Sequence, residues 1–196
     1  MQSNSRSKIV LAVLLAISLL ATGCSAQWIS IALADLPVLL QMALNLGTAA
    51  TTLESGQPLS PSDTAAIQNI SAEAGKDLNL LQNLYNDYNT SPNPATIQKI
   101  DAVIADINTN LPQLLQAAHI SDAAVSARIT VAVNLILSTV NSFASLLPAT
   151  GMAATMQAQI AHQKVALPHA KDLKKQWNEQ VCAPLAKTQW SGCAVK

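Results

Sequence analysis

Residues 92–114 read PNPATIQKIDAVIADINTNLPQL. Ile97, Ile100, Ile104, Ile107, Leu111 and Leu114 follow one another at spacings of 3, 4, 3, 4 and 3. Lys99, Asp101, Asp106 and Asn110 stay off that stripe. Alternation between three and four lines apolar side chains along one side of an α-helix, whereas a strand repeats every two. A stripe this narrow is what a helix shows when it packs nearly antiparallel against a partner. Pro112 predicts a kink near its end.

The flanking sequence supplies partners. Upstream, Asn89-Thr90-Ser91-Pro92-Asn93-Pro94 is a dense breaker cluster that closes one helix and opens the next. Before it, Ser60-Pro61-Ser62-Asp63 places a hydroxyl cap, a proline at the first helical position and an acid in the first turn. Ile67, Ile70, Ala74, Leu78, Leu81, Leu84 or Tyr85, and Tyr88 then recur at heptad spacing. Downstream, His119-Ile120-Ser121-Asp122 reads as a turn, with Ser121 capping a helix that carries Val125, Ile129, Ala132, Ile136, Val140, Phe143 and Leu147. Arg128 is the only charge between Ala123 and Ala161. So charge-poor a helix is central in a bundle or touches lipid, and Asn134 and Asn141 argue against a membrane span. Segment 27–53 is apolar, with Trp28, Ile29, Leu33, Leu36, Leu39, Leu40 and Leu44, and Pro37 predicts a bend or a split. Residues 149–167 have weak periodicity and read as a short helix or a loose connection. Pro168 opens a last short helix with Leu173, Trp177 and Val181 on one stripe. No segment alternates strongly with period two. The expected fold is all-α, a four- to five-helix bundle over residues 27–181, and the 33 alanines allow its helices to approach closely.

The first 23 residues are of another kind. MQSNSRSK (1–8) carries Arg6 and Lys8 and no acid, and IVLAVLLAISLLA (9–21) is apolar apart from Ser18. A basic start, a short apolar run and a small-residue exit are the three parts of an export signal. Thirteen apolar residues fall short of the ~20 that cross a bilayer as a helix. The run ends in Leu20-Ala21-Thr22-Gly23-Cys24, which resembles the lipobox of bacterial lipoproteins. The resemblance covers the leader alone. It implies cleavage between Gly23 and Cys24 and acylation of Cys24, with Ala21 standing where leucine is commonest. The expected division is then a signal over 1–23, a lipidated tether over 24–26, the bundle over 27–181 and a tail over 182–196. The competing reading is plain secretion after Cys24-Ser25-Ala26, a small-x-small exit site. Ser25, rather than an acid, follows the cysteine; by the same resemblance this implies the periplasmic face of the outer membrane in a diderm cell.

Cys24, Cys182 and Cys193 are the three cysteines. Acylation of Cys24, or its loss with the leader, leaves an even pair. Export places that pair in an oxidising compartment, so a Cys182–Cys193 disulfide closing the tail is expected. A loop this short gains roughly 2–3 kcal/mol at best from chain entropy.

Charge is uneven. Residues 24–122 hold nine acids and two lysines, a net −7; residues 123–196 hold two acids and seven bases, a net +5. The plain reading is a basic tail folded back on an acidic helical pair. The sharper one makes Lys171, Lys174 and Lys175, beside Trp177, a contact for an anionic membrane surface. The zero overall charge argues against nucleic-acid binding.

No nucleophile elbow, P-loop, dinucleotide fingerprint or HExxH is present. His119, His162 and His169 lack ligand spacing to one another and to a cysteine, so no metal is expected. Asp101 and Asp106 lie about 140° apart around a helix and do not pair, and Asp35 is remote in sequence. Tyr85 and Tyr88 read as core shields, and Asn134 and Asn141, two turns apart, as residues that could fix helix register. The expectation is a non-enzymatic envelope lipoprotein without a cofactor, anchored in a membrane and offering its bundle to an envelope protein. The alternative is a carrier or sensor of a hydrophobic ligand held between helices.

Overall fold

The computed structural model describes residues 26–49, 59–147 and 169–182. Among them the chain is all-α. Four long helices follow in order: α1 (Ala26–Ala49), α2 (Pro61–Thr90), α3 (Pro94–Ala117) and α4 (Ala123–Ala144). A fifth, α5, runs from Ala170 to Gln176 and continues as a π-helical stretch over Trp177–Cys182.

The starts of the helices are chemical. Ser60 caps α2 by accepting the Asp63 amide at 3.1 Å, with Pro61 behind it where a missing N–H costs nothing. Asn93 does the same for α3 through the Thr96 amide at 2.8 Å. At α4 the cap is Asp122, which accepts from the amides of Ala124 and Val125, both at 2.9 Å. The expectation that Ser121 caps this helix is therefore corrected. A carboxylate can take two amides at once, and Ser121 is drawn away to α2. His119, in the turn before it, adopts a positive φ of 41°.

The seams are apolar as the spacing requires. Ile97, Ile100, Ile104, Ile107 and Leu111 are buried, as are Ile67, Ile70, Ala74, Leu78, Leu81 and Tyr85. On α4, Ile129, Ala132, Ile136, Val140 and Phe143 are joined by Val133 and Leu135. On α1 the buried line is Ile29, Ala32, Leu36, Leu39, Ala43 and Leu46, the same alternation of three and four. Leu44 falls off that line and is 53% exposed, so its placement in the apolar face is corrected. Pro37 neither splits nor ends α1. It lies on the exposed side, where a carbonyl that loses its amide partner can be hydrated. Likewise α3 runs through Pro112 to Ala117.

The helices go up, down, up and down. Ser71 donates to the Ala43 carbonyl at 2.7 Å, and Gly75 faces Leu40, so α1 and α2 are antiparallel. Asn108 of α3 donates to Asn141 of α4 at 2.7 Å. Diagonal helices are parallel: Asp63 meets Ser121 near one end of α2 and α4, and Tyr85 meets Phe143 near the other, at the same offset of 58 residues. Contacts between α1 and α4 close the square. Helix α5 packs on these same two helices. It buries Leu173, Trp177 and Val181 completely.

Among the described residues this docking departs from the expectation that the basic C-terminal part folds back on the acidic pair; Lys164, Lys187 and Lys196 lie outside them. The acidic helices are α2 and α3; α5 lies on α1 and α4, the two poorest in charge. Apolar area decides the position, since a fully buried large side chain contributes about 1.5–3 kcal/mol while an exposed ion pair contributes under about 1. By length and composition Ile29–Thr48 and Ala123–Ala144 would suffice to cross a membrane. In the bundle they supply much of the core.

Candidate functional site

Gly23, Cys24 and Cys193 lie outside the described residues, as do His162 and the stretch 149–167. The first described residue, Ala26, already belongs to α1. Cys182 ends α5, half-buried, and does not carry a free thiol.

The basic patch divides on inspection. Lys171 and Lys175 are exposed, and Lys175 reaches Glu179 at 3.9 Å one turn on. Trp177 is fully buried in the core, which removes it from any membrane-contacting surface; the stretch it opens packs on α4. With Asp172 and Glu179 on the same helix, the three lysines leave residues 169–182 at a net +1.

Where α5 begins, it meets an acid in the core. Asp35 of α1 is 1% exposed and is the only charged residue of that helix. The Ala170 amide, in the first turn of α5, lies near its carboxyl and favours the charged form, while Oδ2 has no hydrogen-bond partner among the described residues. Burial raises its pKa to about 6; the nearby His169 and the Ala170 amide pull the other way, and Asp172 adds a little to the rise. Asp35 stays apart from Asp101 and Asp106, which are both exposed.

A second buried acid holds α2 to the start of α4. Asp63 is 3% exposed and accepts from the Ser121 hydroxyl and, at 3.3 Å, from the Ser121 amide. These bonds hold its carboxyl below the ordinary range, with burial opposing them and Ser60 adding a further bond. Asp77, the third, is raised by burial and by Glu73, against the opposing pull of Lys76 at 3.8 Å.

Between α2 and α3 runs an open groove of about 680 Å3, lined by Asn69, Glu73, Asn110, Gln113 and Leu114. It is a surface furrow whose lining, with Ala72 and Ala117, is more apolar than polar, edged by amides and a carboxylate. Tyr85 is buried edge-to-face against Phe143, with ring centroids 6.3 Å apart, and Tyr88 half-covers the core beside it. Asn134 and Asn141 are both exposed, and Asn141 alone of the two is seen bridging helices, through Asn108. His119 and His169 are exposed in turns, and the described residues contain no group of three or more His, Cys, Asp or Glu placed to hold a metal.

No protein family, curated protein or solved structure matches the chain. The sequence signals missed Asp35 and Asp63 as structural acids. Both were legible in part, because position 35 falls beside the 32–36–39 stripe and position 63 sits in the first turn of a capped helix.

Proposed function

We propose that this protein is an exported cell-envelope lipoprotein, held to a membrane by acyl chains on Cys24, whose helical bundle serves as a structural or interaction module. The observation that carries the reading is the leader, basic, then apolar, then Leu20-Ala21-Thr22-Gly23-Cys24. Two or more acyl chains hold a protein firmly, where one binds only marginally. The Cys182–Cys193 disulfide is part of the proposal; it is supported by the engaged sulfur of Cys182 and by the oxidising compartment that export implies. A carrier of a hydrophobic ligand finds less support, because the groove between α2 and α3, though largely apolar, is open to solvent. The reading assigns no reaction. Outer-membrane residence in a diderm cell belongs to it through Ser25.

Intact mass of the membrane-extracted protein tests it. The expected mass is that of residues 24–196 plus acyl groups, less two hydrogens for a disulfide. Replacement Cys24→Ser should release the protein into the soluble fraction. An unacylated product cut after Ala26 would establish plain secretion instead.

A further inference from the structure

Only Ser25 stands between the proposed anchor and α1, which begins at Ala26. Two residue steps span at most about 7 Å. The headgroup zone of one leaflet is of similar depth, being half the difference between the total and hydrocarbon thicknesses. An anchor so short leaves the body little freedom to turn away, and the start of α1 has to lie at the lipid surface.

The fold defines what else lies there. The antiparallel pairing of α1 with α2 and the parallel register of α2 with α4 bring four pieces to one end: the first turns of α1 and α3, and the last turns of α2 and α4. That end has a distinct chemistry. Residues 26–34, 88–98 and 129–147 contain no Asp, Glu, Lys, Arg or His, and the last turn of α2 adds a single exposed carboxylate, Asp87. Asn89, Thr90, Ser91, Pro92 and Asn93 are all exposed, and Leu146 and Leu147 are half-buried beside the end of α4. The other end carries Asp63, His119, Asp122 and Arg128. For a chain whose residues 24–122 sum to −7, an end with one exposed carboxylate is poor in charge. Carboxylates pressed within a Debye length, about 8 Å, of an anionic leaflet would be repelled. Neutral amides and hydroxyls hydrogen-bond to headgroups and water without that cost.

We propose that this charge-poor end of the bundle, built from the first turns of α1 and α3 and the last turns of α2 and α4, rests on the phospholipid headgroup layer. The proposal depends on the acylation of Cys24 proposed above. The bundle stands on the membrane with its axis fixed, and the turn at 118–122 points outward. The outward end and the groove between α2 and α3 are then the surfaces left for a protein partner.

The test uses the acylated full-length product in vesicles of phosphatidylethanolamine and phosphatidylglycerol doped with a nickel-chelating lipid. A nitroxide is attached to Ala95→Cys, in the first turn of α3, or to Ala124→Cys, in the first turn of α4; both positions are exposed. The two ends are separated by a helix length of roughly 36 Å, so relaxation at 95 should exceed that at 124 on the order of tenfold. A long Gly/Ser insertion after Ser25 should erase the contrast while vesicle binding persists. Equal or reversed relaxation in a vesicle-bound, acylated protein overturns the orientation and leaves the anchor standing. An intact mass without acyl chains overturns the anchor, and the orientation with it.

Discussion

Gly47 of α1 and Ser71 of α2 occupy one another's space: a Cβ at 47 would lie 2.8 Å from Ser71 Oγ and 3.4 Å from its Cβ. Ser71 Oγ is fixed there because it donates to the Ala43 carbonyl at 2.7 Å. Ala43 and Gly47 on one helix, and Ser71 and Gly75 on the other, form two small-residue pairs one turn apart. They let these two backbones come close, and interhelical distance follows the size of the contact side chains.

Gly47→Ala should therefore destabilise the bundle by about 1–2 kcal/mol, although alanine in a helix normally gains up to about 1 over glycine. Ser71→Ala alone should cost about 0.5–1.5 kcal/mol through the lost hydrogen bond. The double variant should cost less than the sum, because the oxygen that clashes is gone. Urea unfolding of all four proteins gives the coupling; strict additivity would contradict the contact.

Asp35 gives stability a definite pH dependence. Its folded pKa of about 6 lies above the unfolded value, so its contribution is complete below about pH 4 and is lost as pH rises through 6. The loss is on the order of 2–3 kcal/mol. Asp35→Asn keeps the shape and removes the charge. It should flatten the profile between pH 4 and 7 and be more stable than the parent at pH 8. A parent profile that rises over this interval, unchanged by the substitution, would show that Asp35 is not the titrating group.

Asp63 has the opposite sign. Its carboxyl is held below the ordinary range by Ser121, so its contribution is present at neutral pH and disappears as acid protonates it. Asp63→Asn should lower the melting temperature at pH 7, and the gap to the parent should narrow as pH falls below the ordinary carboxylate range. Ser121→Ala should reproduce most of that effect. A gap constant down to pH 2 would refer the effect to packing rather than to charge.

Trp177 is the largest side chain in the core, and α5 depends on it. Trp177→Ala should cost about 3–5 kcal/mol. Loss of near-ultraviolet circular dichroism with most of the helical signal kept would place the damage in the packing of α5. A change under about 1 kcal/mol would mean that α5 contributes little to the fold.

The seams of α2, α3 and α4 were legible because periodicity and caps agree in each: Ser60 and Asn93 lie where the breaker clusters put them. Less legible was whatever depends on which helices meet. Both Ser121 and Asp122 are good caps by residue type; what draws Ser121 away is Asp63, 58 residues distant. Trp177 next to three lysines resembles an interfacial aromatic until the packing of α5 on the bundle buries it in the core. Pro37 and Pro112 weigh against helix locally, and tertiary burial of the neighbouring stripe overrides them.

The contact of Asp35 with the start of α5 joins positions 135 apart, whereas α2 and α3 are separated by three residues. Ring closure over the longer path costs more entropy, though the cost grows only logarithmically. Assembly should accordingly start at the 61–117 hairpin and finish with α5 seating on helices that have already met. The last of the described helices thus locks down the first. A polypeptide stopped short of residue 169 would leave the α1–α4 groove bare and greasy, a defect that quality-control proteases can detect.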